Sequence, residues 1–263
     1  ESVTVGLVAW ASLHHLALAG GGLVVGFLVG LTGAGGGAVL TPLLIIVFGV
    51  PAVAAVGSDL AASLVMKPVG GLVHLHHRTV RTDLVRWLSL GSIPGALLGA
   101  VFLSLAGSSA SSILKPLLGL ALLATSVAMI LRRRPPDRKG EAPTLRPWPT
   151  AALGLAGGLL VGLTSVGSGS LMLIGLTLLY PTLTNAELVG TDLVQAVPLV
   201  AAATLGHILF GHVRFGVTAA LLVGAIPGVY VGAKLSAQYS GKLARGALVA
   251  VLLGTGVKLL WAA

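Results

Sequence analysis

Read from its residues alone, this chain is an all-α polytopic membrane protein: two inverted repeats of about five helical segments each, with Gly-rich broken or re-entrant helix hairpins meeting near the midplane. Three observations carry that expectation. The first is composition. Of 263 residues, 56% are hydrophobic and 9% charged, and mean hydropathy is +1.02. Apolar runs long enough for a helix to cross the hydrocarbon core follow one another almost end to end, and the short alternating strands of a membrane barrel are missing from the pattern. The second is duplication. Gly30 to Gly37 reads Gly-Leu-Thr-Gly-Ala-Gly-Gly-Gly, and Gly162 to Gly169 reads Gly-Leu-Thr-Ser-Val-Gly-Ser-Gly, five of eight residues identical at a spacing of 132. The third is the placement of the basic residues.

In chain order, the apolar runs place helices near 3–32, 35–50, 52–77, 83–106 and 111–131, then 149–165, 168–180, 185–211, 215–236 and 242–262. The opening stretch, Glu1 to Leu31, lacks a basic leader and a convincing cleavage site, so it is expected to be mature helix. Between the halves lies a basic, Pro-rich linker, 132–148, with Arg132, Arg133, Arg134, Arg138, Lys139 and Arg146. It separates an N-terminal transmembrane repeat, 1–131, from a C-terminal one, 149–263. Positive loops stay cytoplasmic, so the linker faces inward. Counting back from it puts the loops with Arg78, Arg81 and Arg86, and with Lys234, Lys242 and Arg245, on the same side, and only Lys115, Arg214 and Lys258 outside. Twelve charges against three support an inverted arrangement with both termini outside. Trp10, Trp87, Trp148 and Trp261 fall near the implied interfaces. The segment from Ser168 to Tyr180 covers roughly 20 Å, short for a crossing. A hairpin of two half-helices turning at the Gly-rich loop is therefore expected after each copy of that loop. Irregular backbone at such depth needs cover from protein or a water-filled cavity.

The repeat extends past the loops. Val56-Gly57-Ser58-Asp59-Leu60 answers Val189-Gly190-Thr191-Asp192-Leu193 at a spacing of 133, and Gly91-Ser92-Ile93-Pro94-Gly95 answers Gly224-Ala225-Ile226-Pro227-Gly228. Gly99 and Gly232, and His74 and His207, correspond as well. Together the Gly-rich loop, the Val-Gly-[Ser/Thr]-Asp-Leu pentad, the Ile-Pro-Gly-x-x-x-Gly segment and the duplication resemble the sulfite exporter (TauE/SafE) family, also called the toluene sulfonate uptake permease family. The resemblance spans nearly the whole chain. It implies a bacterial inner (cell) membrane transporter of sulfur-containing anions such as sulfite or organosulfonates. Proton coupling is often proposed for such carriers.

Candidate substrate-binding residues gather at the two loops and the helices that follow: Thr32, Gly33, Gly35, Gly36 and Gly37 in the first, Thr164, Ser165, Gly167, Ser168 and Gly169 in the second, with Ser58, Thr191, Lys67 and Gln195. Glycine lets a group approach the backbone closely, and amides opening a helix face an anion well. Such hydroxyls more commonly bond between helices. Asp59 and Asp192 stand seven or eight residues into their helices, about 10 Å deep, where a carboxylate is costly unless paired or protonated. They are read either as proton-coupling acids or as caps that organise the hairpin tips. Lys67, without a counterpart in the second half, either attracts the anion or neutralises an Asp. Being eight residues from Asp59, it is expected to find its partner on another helix. His74 and His207 are read as interhelical donors or proton relays. A metal site built from His14, His15, His74, His76 and His77 is disfavoured, because no acidic ligand lies near His77. No cofactor, metal or nucleic-acid partner is expected. The rival readings are a passive anion channel on the same scaffold and an intramembrane enzyme. The latter lacks a Gly-x-Ser-x-Gly turn with a matching His and acid, and no ATP-binding loop is present.

Overall fold

The computed structural model describes residues 2–32, 37–131, 144–236 and 242–261, with side chains described except at 2–14, 31, 32, 69, 70, 73, 233, 236 and 242–245. The helices are α1 (Ser2–Thr32), α2 (Gly37–Ile46), α3 (Ala52–His76), α4 (Thr82–Ala106), α5 (Ala110–Leu131), α6 (Pro147–Thr164), α7 (Ser170–Leu179), α8 (Asn185–Leu209), α9 (Phe215–Ser236) and α10 (Lys242–Trp261). No strand occurs among the described residues. Most of the linker, residues 132–143, and the loop residues Gly33, Gly35 and Gly36, lie outside them.

Length sorts these helices. α3, α4 and α8 have 25 residues each, about 37 Å at the helical rise. α2 and α7 have 10 each, about 15 Å, which is half a hydrocarbon core. Among the described residues, Thr82–Leu131, Asn185–Leu209 and Phe215–Gly232 are long and apolar enough to cross a membrane, and His15–Gly30, Gly37–Ile46, Ser170–Leu179 and Gly246–Trp261 are shorter apolar helices. Large apolar side chains such as Leu16, Leu72, Leu90, Leu131 and Val223 point outward. A surface of that kind suits a lipid solvent. Pro42, Pro68, Pro94, Pro198 and Pro227, expected to kink or end helices, all lie inside them.

The first helix of each sequence repeat packs on the fourth helix of the other: α1 lies along α9, and α6 along α4. Stripes of glycine make this contact. A Cβ on Gly22 or Gly26 would strike the carbonyls of Leu221 and Ala225, and one on Gly91 or Gly95 would strike those of Ala151 and Leu155. Gly154, Gly158 and Gly162 meet the backbone of Leu88, Ser92 and Ala96 in the same way. Helices approach this closely in lipid through small residues spaced four apart. Contacts advance in step along both partners, so α1 runs parallel to α9 and α6 parallel to α4. The third helices behave differently. Gly57, near the start of α3, abuts His207 in the last turn of α8 and His212 just beyond it, while Gly190, near the start of α8, abuts His74 in the last turn of α3 and Thr79 just beyond it. α3 and α8 are therefore antiparallel.

The hairpin after α6 has unequal arms, unlike the two half-helices expected. α6 has 18 residues, about 27 Å, then the chain doubles back through Ser165–Gly169 before the short α7. Tyr180, fully buried, closes the hairpin's base: its hydroxyl accepts from Arg146 N at 3.0 Å and pairs with Thr150 Oγ1 at 2.5 Å. Because α6 and α4 are parallel, Trp148 and Trp87 near their starts come together, with ring centroids 6.1 Å apart.

Candidate functional site

Asp59 and Asp192 are each the eighth residue of their helices, and α3 and α8 pack antiparallel along each other, so the two carboxyls flank the middle of one seam. On α3, Asp59, Ser63 and Lys67 follow at four-residue intervals and share a face. Asp59 is fully buried. It accepts from Thr41 Oγ1 of α2 at 2.5 Å and from Ser63 Oγ at 3.4 Å. Lys67, half-buried, donates to Ser168 Oγ at 2.5 Å, and the carboxyls of Asp192 and Asp59 both act on its charge.

Ser168 belongs to the second Gly-rich loop, whose path depends on left-handed backbone. Ser165 turns it at φ 60°, and Gly167 and Gly169 continue it at φ 120° and 109°. Ser165 N–H closes on Val161 O at 2.7 Å and ends α6. α7 then begins at Ser170 with no side-chain cap at Gly169. Gly37, opening α2, packs so closely on Ser165 that a Cβ would strike its carbonyl and its hydroxyl. The described end of the first tip therefore rests on the second.

The donors here are few, and their hydrogens can be followed. An ammonium only donates, so Ser168 Oγ accepts from Lys67 and its own hydrogen points elsewhere. Ser165 Oγ, 4% exposed, faces the Asp59 carboxyl but lies outside hydrogen-bond geometry with it. Lys67 Nζ, Ser168 Oγ and Ser165 Oγ thus bring hydrogen-bond donors to the second Gly-rich loop, between the end of α6 and the start of α7. That arrangement can hold an oxyanion.

Other expected ligands have different partners. Ser58 Oγ accepts the backbone N–H of Arg214 at 3.1 Å, and Thr191 Oγ1 accepts that of Arg81 at 3.1 Å. Each pins the loop following the opposite repeat's third helix. Gln195 Nε2 donates to Ser92 Oγ of α4 at 2.7 Å. Thr164 Oγ1 donates to Leu160 O of its own helix and accepts from Val166 N in the loop that follows. Thr32's side chain, with Gly33, Gly35 and Gly36, lies outside the described residues. His74 and His207 sit at opposite ends of the α3–α8 seam and do not meet. His74 Nδ1 bonds locally with Thr79 Oγ1 at 2.9 Å. His207 Nε2 reaches across to Gly162 O at 2.8 Å, and its Nδ1 faces His212 Nδ1 at 3.2 Å. A carbonyl accepts only, so Nε2 of His207 carries hydrogen; in the neutral pair His212 donates to His207 Nδ1.

Thr41 and Ser92 were not among the expected site residues. Neither is repeated: Leu173 and Ala225 hold the equivalent positions. A threonine directly before a proline in a ten-residue apolar helix was the available signal for Thr41.

The family described as "Sulfite exporter TauE/SafE" matches residues 18–259. A protein of Bacillus subtilis (strain 168) described as "Probable membrane transporter protein YjnA" is 38% identical over 249 residues, covering 91% of this chain and 97% of its own. Another from the same organism, "Probable membrane transporter protein YdhB", is 27% identical over 219 residues, 81% of this chain and 86% of its own. No solved structure matches the chain.

Proposed function

This chain belongs to the sulfite exporter TauE/SafE family of membrane transporters, and on that footing we propose that it is a secondary carrier of sulfur-containing anions, sulfite or sulfonates. The observation that carries this reading is the Lys67–Ser168 contact. It joins an intramembrane cation in one repeat to the Gly-rich loop of the other, with Asp59 and Asp192 within electrostatic reach. Ionisable groups inside a membrane mark a substrate or ion pathway by default. Lys67 Nζ and the hydroxyls of Ser168 and Ser165 hold the oxyanion at the start of α7. Asp59 and Asp192 take up protons as it arrives, which couples its movement to a proton gradient. Gly37, Gly167 and Gly169 let the two tips close on it. Ser58, Thr191, Gln195, His74 and His207 keep the seam in register.

Transport follows from rocking of one repeat against the other, exposing the site alternately to each face. The antiparallel α3 and α8, equivalent in sequence, support the inverted relationship that such rocking uses. The basic linker is cytoplasmic, both termini are outside, and the membrane is the bacterial inner membrane.

The test is uptake of radiolabelled sulfite into proteoliposomes holding the purified protein, with and without an imposed pH gradient. Saturable, gradient-driven uptake with counterflow is expected. Flux that rises linearly with concentration and shows no counterflow would make the protein a channel. Absence of sulfite flux, together with thermal stabilisation by another sulfonate or carboxylate, would replace the substrate and retain the site.

A further inference from the structure

The starts of α4 and α6 carry a second cluster of donors, on the outer surface of the molecule and away from the Gly-rich loops. The two helices run parallel, so their first turns lie at the same end. Glycine holds their backbones together there: a Cβ on Gly91 would strike Ala151 O, and one on Gly154 would strike Leu88 O. Just ahead of this contact stand Arg86 and Trp87 on α4, and Arg146 and Trp148 at the entry to α6. The two indoles meet with ring centroids 6.1 Å apart. Trp148 and both arginines are exposed. The main chain of Arg146 is fixed, because its N–H donates to Tyr180 Oη at 3.0 Å and its carbonyl accepts from Thr150 Oγ1 at 2.6 Å. Its guanidinium therefore projects from a set point. Asp83, in the first turn of α4, is occupied by Arg81 through both oxygens, at 3.1 and 2.7 Å. Among the described residues, neither Arg86 nor Arg146 makes an ion pair.

We propose that this cluster binds the headgroup of an anionic phospholipid, which sits across the α4–α6 contact and so bridges the two repeats. The proposal is independent of the anion carried and of the carrier reading. Position along α4 decides for a lipid over a soluble phosphate. Arg86 is followed one turn later by Leu90 and then by Ile93, all exposed on one outward face. An arginine at the end of such an apolar strip stands level with headgroups, and its neighbours face acyl chains. The paired indoles suit the same depth, with rings against the chains and N–H groups toward the polar layer. Chemistry supplies the rest. A guanidinium matches a phosphate with two parallel N–H···O bonds, and two parallel helix starts bring their positive dipole ends to the same place. Basic groups set between transmembrane helices at the membrane surface recognise anionic headgroups in this way. A zwitterionic headgroup offers the same phosphate, but its ammonium is repelled by the two guanidinium groups, so the site prefers net negative charge.

Thermal unfolding of the delipidated protein in a mild detergent tests this, with phosphatidylglycerol or phosphatidylcholine of the same chains added in equal amount. Phosphatidylglycerol is expected to raise the unfolding temperature more than phosphatidylcholine does. The double variant Arg86→Gln with Arg146→Gln is expected to lose at least roughly half of that extra rise. Lys234→Gln with Lys258→Gln removes two exposed charges elsewhere and is expected to keep it. Each variant is compared with its own value in phosphatidylcholine, so any loss of intrinsic stability cancels. Equal rises with the two lipids in the wild type overturn the proposal. So does an arginine variant that keeps the full extra rise, or a lysine variant that loses as much as the arginine one, which would make the effect one of overall charge. Soluble glycerol phosphate reproducing the whole rise overturns the lipid as the occupant.

Discussion

The two copies of the Val-Gly-[Ser/Thr]-Asp-Leu pentad share one duty and differ in another. Their hydroxyls do the same work: Ser58 accepts from Arg214 N and Thr191 from Arg81 N, both at 3.1 Å. Their carboxyls have different company. Beside Asp59 stand Thr41, Ser63 and, one turn further along α3, Lys67. The positions equivalent to these in the second repeat are Leu173, Ala196 and Val200, all buried and apolar. Backbone scaffolding is the same in both repeats, while the hydroxyl and ammonium groups beside Asp59 have no counterpart at the equivalent positions of the second. Alternating exposure needs two matched scaffolds, whereas one bound anion needs one set of ligands, so the two demands fall on different atoms of the same motif.

The largest difference between the two repeats is expected at Lys67. Lys67→Met is expected to cut uptake by at least roughly a hundredfold, the scale seen when one member of a buried charge pair is removed. Val200→Ala, at the equivalent position, is expected to lower stability by about 0.5–3 kcal/mol through a cavity while transport continues. Uptake by Lys67→Met at the wild-type rate would remove the ammonium from the site. The second effect lies at the tips. Gly37→Ala pushes a methyl group into the Ser165 backbone and should cost about 1–3 kcal/mol as overpacking. Gly167→Ala meets side chains alone but holds φ at 120°, a strain of about 1–3 kcal/mol. Thermal unfolding in detergent, followed by uptake, measures both. Loss of transport in Gly37→Ala with a folded protein is expected, and wild-type transport there would detach the first tip from the site.

Much of this was legible in the residues. Apolar run lengths placed the helix ends within about two residues, except that α2 stops at Ile46, short of the expected 50, with Val47 and Phe48 still apolar before Gly49 turns the chain at φ 63°. Internal duplication located Asp59, Asp192 and both loops. Three things were not legible. Hydroxyl side chains serve ligands and backbone equally well, so Ser58 and Thr191 read as ligands when they bond loops. Thr41 is invisible to the repeat, because the second half has no threonine at the equivalent place. The exchange of partners between repeats, α1 on α9 and α6 on α4, is a long-range pairing that run lengths do not encode. The glycines at four-residue spacing, Gly22 and Gly26 with Gly91, Gly95 and Gly99, carried its local trace. Thr184-Asn-Ala-Glu187 was a readable helix start as well. Its capping box opens α8, with Thr184 N to Glu187 Oε2 at 2.9 Å and Glu187 N to Thr184 Oγ1 at 3.3 Å.

The shared duty sets up a finer test. Ser58→Ala and Thr191→Val each leave a loop N–H without its acceptor, which is expected to cost about 1–3 kcal/mol at either end. Equal losses in thermal unfolding, with transport reduced alike, would sharpen the symmetry. A loss confined to one of them would show that the scaffold also has diverged.

The smallest effect separates the two ends of the α3–α8 seam by pH. Beside His207 stands His212; beside His74, at the equivalent place, stands Thr79, which does not titrate. His212 lies in the loop between α8 and α9, and burial pushes its imidazole below the ordinary value of 6.5. The unfolded chain therefore binds this proton before the folded one does. The group's full contribution to stability is present above the ordinary value and is lost as pH falls through it toward the depressed one. The geometry tolerates one proton on the pair, on His212, which goes on donating to His207 Nδ1; a second would set two N–H groups face to face. His212→Thr copies the other end of the seam. The unfolding temperature of the wild type is expected to drop further than that of His212→Thr between neutral and mildly acidic pH. Parallel declines would mean that the histidine end responds to acid no differently from its threonine counterpart.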